Sequence, residues 1–306
     1  MNQSLLSRIK KNLHVYLFLA PGVILLILFS YVPMGGLILA FKKFIATKGI
    51  LGSPWVGLAN FRRLFATVDA KRAITNTFII SLGRLVFTFW VPIILAVMLN
   101  EMSGVKSKKL CQTVLTIPHF LSWVVVGTIL ESFLMNNGAI NVLITKLGGQ
   151  PIGFLSNKQY FRPILYITDI WKEAGWSAII YIAAIAGIDP GLYESAEIDG
   201  ANRLQKILHV TLPGIKTTIV IMLIMQIGNS MNAGFDQIFN LRNSVIKSAG
   251  DIIDTYVYDI TFDAVPNYGF STAVGLFKSV INMILLISAN IFAKKATGVN
   301  LFGGET

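Results

Sequence analysis

The chain has 306 residues, of which 54% are hydrophobic and only 13% charged, and its formal net charge is +11. Soluble domains average about 25% charged residues, so lipid is the expected solvent for much of this chain. The single cysteine, Cys111, excludes a disulfide framework and a paired-cysteine metal or redox site. The basic residues flank apolar runs, which suits anionic lipid headgroups. No basic stripe is interleaved with exposed aromatics, so nucleic acid is not an expected partner.

Six apolar runs are close to the ~20 residues that a helix needs to cross a ~30 Å hydrocarbon core. They predict membrane spans at roughly 15–38, 74–99, 110–133, 163–187, 215–235 and 271–293. The first run is longer than the core of a signal peptide and no small-residue cleavage site follows it, so it is expected to be retained. The sequence therefore predicts an all-α integral membrane protein with a single membrane domain over residues 1–306.

The direction in which the chain crosses the membrane is not decided by its basic residues. An even number of spans places both termini on the same side. The short loop after the second span is basic, which favours termini inside the cell, whereas the long loop after the first span is also basic and favours the opposite orientation.

A polar segment, residues 189–213, separates the fourth and fifth predicted spans. Asp189 and Pro190 are typical of a helix start, because Asp caps free N–H groups and Pro at the first helical position loses no hydrogen bond. Gly200 permits a sharp change of direction that a side chain would oppose. The segment predicts two short helices joined at Gly200, with Pro213 helping to define the start of the next span. The second helix has an apolar side that includes Leu204, Ile207, Leu208 and Val210.

The spacing within this segment resembles the EAA loop of ABC importer permeases, which in that family is the cytoplasmic plug that seats in an ATPase subunit. The residues that carry the resemblance are Glu194, Ser195, Ala196, Asp199, Gly200, Ala201, Val210, Leu212 and Pro213. Ser195 stands where many relatives have Ala, and Val210 where the pattern often has Ile. The resemblance implies that these residues, together with Leu204 and Leu208, form the surface that couples the chain to an ATPase. The alternative is a polar loop that packs on its own bundle.

Other stretches narrow the resemblance to the permeases that import complex oligosaccharides or polysaccharide fragments. Residues 55–61 resemble the VGLENF segment that follows the first span in sugar permeases. Further matching stretches are 117–125, 169–176, 234–238, 254–258 and 272–279.

The resemblance implies a type I ABC importer permease fold with six transmembrane helices and cytoplasmic coupling helices at 189–213. It places the chain in the bacterial cell membrane with both termini in the cytoplasm. It also implies a second related permease, two ATPase subunits and an extracytoplasmic sugar-binding protein. The chain has no GxxxxGK[ST] run. ATP and magnesium are therefore expected in the ATPase partners, and no cofactor or metal is expected in this chain.

Polar groups within the spans are candidates for the substrate pathway, because such groups normally face a cavity or a partner. The candidates are Trp176, Gln226, Asn229, Asn232, Lys278 and Asn282. The amides could equally bridge helices. Asp169 and Lys172 are expected to pair with each other, and Arg84 to extend its charge to the membrane interface. Lys278 is a weak candidate for a contact to an acidic sugar.

The loop between the fifth and sixth spans, residues 236–270, contains Tyr258 and Phe262 among several aspartates. Aromatic side chains in a wet loop favour a docking surface for the binding protein. The other interpretation, which the sequence supports equally, is a helix that lies on its own bundle.

Two other functional classes fit the sequence less well. A stand-alone secondary transporter would also have midplane polar groups, but it would need no ATPase and often shows an internal repeat, which is not evident here. A catalytic site would need converging nucleophile–base or metal sets, and the three histidines lie scattered along the chain.

Overall fold

The computed structural model describes residues 12–299, which form helices joined by turns and short loops. The helices are, in chain order, α1 Leu13–Phe41, α2 Ala59–Ala66, α3 Val68–Asn100, α4 Val105–Thr116, α5 Trp123–Leu134, α6 Ala139–Lys146, α7 Lys158–Ala186, α8 Pro190–Ile198, α9 Arg203–Gly214, α10 Lys216–Gly228, α11 Phe235–Leu241, α12 Ile253–Phe262 and α13 Tyr268–Thr297. Single helical turns lie at Ala46–Lys48, Gly49–Gly52, Ile117–Phe120, Ser230–Asn232 and Lys247–Gly250. The basic residues that precede the first predicted span lie outside the described residues.

The described helices confirm the all-α membrane fold. Four stretches are long and apolar enough to cross a membrane, namely α1, α3, α5 with α6, and α13. The number rises to six if each of two bent helix pairs counts as one span. Helix α8 turns away from α7 by 71°, and α10 turns away from α9 by 61°. The two bends flank the polar segment 189–213.

Two predicted spans differ from the helices that form. The third, 110–133, is divided into α4, the turn Ile117–Phe120 and α5. Pro118 opens the turn, and Ser122 begins a new helix because its hydroxyl accepts a hydrogen bond from the Val125 N–H. The fifth, 215–235, ends as a helix at Gly228. Ala233 and Gly234 then adopt left-handed backbone conformations and lead into α11.

The chain forms two compact units. One comprises residues 12–66 and 260–276, and the other comprises residues 67–259 and 277–299. The core of the smaller unit includes Ala40, Leu64, Phe270 and Ala273, all of which are buried. The single permease domain over residues 1–306 stays a prediction.

The larger unit has two apolar clusters. One joins α3, α7 and the start of α10 through Phe89, Ile93, Tyr181 and Ile215. The other joins α3, α7 and α11 through Ile80, Leu165, Ile238 and Leu241. Helix α7 contributes to both clusters, so its polar residues are held at fixed positions between them.

Candidate functional site

The first helix of segment 189–213 begins as its sequence predicts. The Asp189 carboxylate accepts a hydrogen bond from the Gly191 N–H at 2.9 Å, and Pro190 occupies the first turn. Such a cap stabilises a helix by about 1 kcal/mol. The Ser195 hydroxyl donates to the Gly191 carbonyl at 2.8 Å, which satisfies this polar group within the helix.

Gly200 separates α8 from α9 and has a φ of +77°. This is the left-handed region, which glycine enters without the steric cost that a Cβ would bring. A Cβ built at Gly200 would meet nothing within 4 Å. Within this chain, the requirement for glycine is therefore one of backbone conformation.

The second helix begins with a capping box. The Asn202 side chain accepts from the Gln205 N–H at 3.0 Å, and the Gln205 side chain accepts from the Asn202 N–H at 2.7 Å. These reciprocal bonds fix the direction in which α9 leaves the Gly200 turn.

Two side-chain contacts join the helices on either side of Gly200. Lys206 and Glu197 form an ion pair at 2.5 Å, and the Tyr193 and Thr211 hydroxyls are hydrogen-bonded at 2.9 Å. The hydrogen bond and charge of Lys206 lower the pKa of Glu197 below its ordinary value. Segment 189–213, here called the knob, is thus a compact pair of helices that these side-chain contacts hold together.

The knob presents apolar side chains to solvent. Ile198 is 87% exposed and Leu204 is 64% exposed, with Leu192 and Leu208 also exposed. Apolar groups gathered on a polar loop indicate a surface that a partner covers. Of the predicted coupling residues, those that are exposed are Glu194, Ser195, Asp199, Gly200, Leu204, Leu208 and Pro213, and those that are half-buried are Ala196, Ala201 and Leu212.

A cavity of about 280 Å³ lies within the larger unit, between α3, α7 and α10. Its polar lining includes Arg84, Thr88, Asp169, Glu173, Ser177 and Gln226. Its volume is close to the lower end of the range, ~300–1,000 Å³, that is usual for small-molecule sites.

Arg84 is an internal ion-pair partner and does not extend to the membrane interface, so that expectation was wrong. Its guanidinium lies 2.8 Å from the Asp169 carboxylate, and both side chains are nearly buried, at 14% and 13% exposed. Arg84 also donates to the side-chain oxygen of Gln237, whose amide nitrogen donates to the Leu165 carbonyl at 2.9 Å. Gly234 has a φ of +78°, and a Cβ there would also crowd the Arg84 guanidinium, so this position favours glycine.

Lys172 pairs with Glu173 and not with Asp169, so the predicted pair was also wrong. The Lys172 ammonium lies 2.7 Å from the Glu173 carboxylate and donates to the His119 carbonyl at 2.9 Å. Glu173 contacts the His119 ring nitrogen at 2.7 Å. The same His119 ring stacks on Trp176, with centroids 4.4 Å apart and planes inclined by 4°. Trp176 is therefore held by His119 and remains about half exposed.

The three candidate amides of the fifth predicted span lie in different environments. Gln226 lines the cavity, whereas Asn229 and Asn232 are exposed and lie beyond the end of α10. Asn232 accepts a hydrogen bond from Lys278 at 2.8 Å, and Asn282 accepts one from the Met231 N–H at 3.4 Å. Because α10 ends at Gly228, these three amides do not lie on one face of a single helix.

Lys278 is an ion-pair partner within the larger unit. Its ammonium lies 2.6 Å from the Asp254 carboxylate, and it is largely buried. Its charge is already compensated, which argues against a direct role in attracting an acidic sugar.

In loop 236–270, Tyr258 packs on α11 while Phe262 points outward. The Tyr258 ring meets Phe239 edge-on with centroids 4.7 Å apart, and Phe262 is 72% exposed. Burial alone raises the pKa of Asp259, but two hydrogen bonds from the Arg242 guanidinium and one from Lys247 outweigh it and lower that pKa. Burial raises the pKa of Asp251 nearby. The loop is thus a braced structure in which only some aromatic surface remains open.

His119 and Gln237 were not among the residues singled out from the sequence. The rule that intramembrane charges are normally paired could have indicated a partner for Arg84 inside the bundle. Arg84 and Asp169 are 85 residues apart in sequence, so spacing along the chain does not identify Asp169 as the partner of Arg84.

Residues 75–298 match the family described as "Binding-protein-dependent transport system inner membrane component". The chain is 44% identical over 294 residues to the polygalacturonan/rhamnogalacturonan transport system permease protein YteP of Bacillus subtilis strain 168, covering 95% of this chain and 91% of that protein. A crystal structure of a bacterial ABC transporter involved in import of the acidic polysaccharide alginate has a chain with a TM-score of 0.90 and 36% identity, over 96% of this chain and 100% of that one. A second, of the alginate transporter with a pentasaccharide-bound periplasmic protein, has the same TM-score and identity, over 98% of this chain and 100% of that one.

Proposed function

The chain belongs to the family of binding-protein-dependent transport system inner membrane components, and from that premise we propose that it forms half of the pathway through which an ATP-driven importer takes up an oligosaccharide or polysaccharide fragment. As a permease of this family it is not itself an enzyme. The saccharide class is inferred from the names of its relatives, one of which transports polygalacturonan or rhamnogalacturonan and another alginate.

The proposed assembly contains a second, related permease, two ATPase subunits and an extracytoplasmic binding protein. The ATPase subunits would bind ATP and magnesium. The membrane orientation follows from the coupling role, because segment 189–213 must face the cytoplasm to reach an ATPase. With an even number of spans, both termini are then cytoplasmic as well.

The observation that carries the proposal is the exposed apolar surface on the braced knob 189–213. The exposed side chains of Ile198 and Leu204 would be stabilised if a partner covered them, since burying a side chain of this size is worth about 1.5–3 kcal/mol. A groove in an ATPase subunit would cover them, as it covers helical segments in other grooves that recognise an apolar helix face.

The proposed mechanism is alternating access. ATP binding brings the two ATPase subunits together, and their grooves move the knob. The ion pair Lys206–Glu197 and the contact Tyr193–Thr211 let the knob move as one body, so that α7 and α10, to which it is joined, move with it. The cavity lined by Arg84, Asp169 and Gln226 would then change its access.

The sugar would be recognised by neutral polar and aromatic groups. Gln226 and Ser177 in the cavity can hydrogen-bond hydroxyls, and the half-exposed Trp176 ring can stack on a sugar face. Asn229, Asn232 and Asn282 would extend this polar path, and Lys278 would act through its pair with Asp254. On the external side, Phe262 and the open edge of Tyr258 would contact the binding protein.

The proposal is tested by co-purification followed by uptake into proteoliposomes. An affinity-tagged chain should bring down an ATPase and a second permease, and the assembly should take up a labelled oligosaccharide only with internal ATP and external loaded binding protein. Uptake by this chain alone, driven by an ion gradient without ATP, would contradict the proposal.

A further inference from the structure

The segment between the first two membrane-crossing helices is anchored at the membrane at both ends. Helix α1 ends at Phe41 and α3 begins at Val68, and each is long and apolar enough to cross a membrane. Residues 42–66, here called the basic segment, therefore lie at one membrane surface. The uptake role proposed above does not account for the composition of this segment.

The basic segment carries cations without any acidic residue to balance them. Five lysines and arginines occur in residues 42–66, and no Asp or Glu occurs anywhere in residues 1–68. Lys42 is buried and donates to the Ile50 and Leu51 carbonyls, each at 2.9 Å. Arg63 lies over the Phe270 ring, 4.5 Å from its centroid. The exposed cations that remain are Lys43, Lys48 and Arg62.

Two contacts hold the basic segment at the depth at which α1 ends. The Trp55 ring stacks on Phe41, the last residue of α1, with centroids 5.6 Å apart and planes inclined by 9°. The Asn60 amide donates to the Ala40 carbonyl at 2.9 Å and to the Lys42 carbonyl at 3.2 Å. Because Asn60 lies on α2, these bonds place α2 beside the end of the membrane-crossing helix, which is the level of the lipid headgroups.

The outward face of α2 has the chemistry of that level. Arg62 and Phe65 are three residues apart on one face of α2, and Leu58 lies in the turn just before α2, four residues from Arg62; all three are exposed. Leu64 faces the other way and is fully buried. A basic group flanked by apolar ones, next to a Trp that is 61% exposed, is typical of helices that lie in the membrane interface.

We propose that the basic segment binds the headgroups of anionic phospholipids. Lys43 and Arg62 would contact the phosphate and headgroup oxygens, while Leu58 and Phe65 would enter the adjoining acyl region. Trp55 would lie at the boundary between them. The proposal also explains why this long loop is basic on the side where the positive-inside rule predicts few basic residues, because its cations serve lipid contacts.

Native mass spectrometry of the purified complex with its partner chains measures this binding. Phosphatidylglycerol is titrated into the detergent-solubilised complex, and the double variant Lys43→Gln/Arg62→Gln is compared with wild type. Each basic residue near an anionic surface contributes about fivefold in affinity, so the double variant should bind phosphatidylglycerol roughly 25-fold more weakly. Zwitterionic phosphatidylcholine should bind both proteins equally.

The matched control is Lys146→Gln/Lys158→Gln, which removes the same charge from two exposed lysines at the ends of other helices, so it tests whether binding is specific to the basic segment. It should retain the affinity of the wild type for phosphatidylglycerol. Equal affinity in wild type and the Lys43/Arg62 variant would overturn the proposal. If, in addition, the loaded binding protein stimulated ATPase activity less in this variant than in wild type, the surface would be assigned to a protein partner. Lipid binding is read without transport, so a failure of uptake in wild type would not affect this result.

Discussion

Segment 189–213 and the cavity beside Arg84 differ in the side chains that they expose and bury. In the segment, apolar side chains such as Leu204 stand in solvent, while its ions are paired at the surface. Around the cavity, the charges of Arg84, Asp169 and Lys172 are buried and paired within the chain. The first region leaves apolar surface that we propose a partner covers, whereas the ion pairs of the second form between residues of this chain. Breaking an ion pair beside the cavity should therefore lower stability, and changes in the segment should affect coupling.

The largest effect on stability is expected from Asp169→Ala. This change leaves the Arg84 guanidinium buried without its carboxylate, which costs about 3–5 kcal/mol. The thermal unfolding temperature of the purified protein should fall by several degrees. The control is Asp69→Ala, because Asp69 also pairs with an arginine, Arg72 at 2.5 Å, but is 60% exposed. Exposed pairs contribute about 0–1 kcal/mol. An equal fall in unfolding temperature in the two variants would show that the buried pair contributes no more to stability than an exposed one.

Gly200→Val is expected to give the largest effect on coupling. Valine at a φ of +77° is strained by about 1–2 kcal/mol or more, so the turn between α8 and α9 must change shape. The protein should still insert and assemble, but uptake should fall at least tenfold while the ATPase loses its stimulation by loaded binding protein. Gly148→Val is the matched control, since Gly148 has a φ of +86° and equally open space around it. Normal uptake with Gly200→Val, or equal loss with Gly148→Val, would contradict the coupling role of the turn.

A smaller effect is expected from filling the cavity. Ser177→Leu adds apolar bulk among Asp169, Glu173 and Gln226, and it removes a hydroxyl that could bind sugar. Uptake should fall several-fold with little change in the unfolding temperature. Thr128→Leu is a control because Thr128 is exposed on α5 and its hydroxyl donates to the Val124 carbonyl of the same helix. Unchanged uptake in both variants would remove the cavity from the substrate path.

The smallest effect is expected from Lys206→Gln. This removes an ion pair with a fully exposed carboxylate, so the unfolding temperature at neutral pH should stay within error of wild type. Because the folded pKa of Glu197 is lowered, the pair stabilises the knob above the unfolded pKa of Glu197, and this contribution disappears as the pH falls through the folded value. A difference between variant and wild type that grows on acidification would have the wrong sign.

The structure of segment 189–213 is easier to predict from the sequence than that of the cavity. The segment depends on residues that are close in sequence, whereas the ion pair at the cavity joins residues that are far apart in sequence. Asp189, Gly200 and Pro213 act on neighbouring backbone, so their roles could be read from spacing. The partner of Arg84 lies on another helix, and nothing local distinguishes Asp169 from Glu173 as that partner.

The break in the third span did have a local signal. Pro118 and the capping Ser122 both mark a helix boundary, but the apolar composition around them outweighed that signal. The end of α10 at Gly228 was missed for the same reason, since apolar residues continue beyond the glycine. Hydropathy indicates whether a segment lies in the membrane, but it does not indicate where the helix within that segment ends.

Disulfide crosslinking tests most directly the claim that segment 189–213 seats in an ATPase subunit. Cys111 is first replaced by Ala, and single cysteines are placed at Leu204 and Leu208 of this chain, with a cysteine in the facing groove of the ATPase subunit. A cysteine at Val142, which is exposed on α6, serves as the control. The account predicts crosslinks from 204 and 208 in native membranes, with yields that change when ATP is trapped, and none from 142. An intact complex that gives no crosslink from either position in any nucleotide state would contradict it.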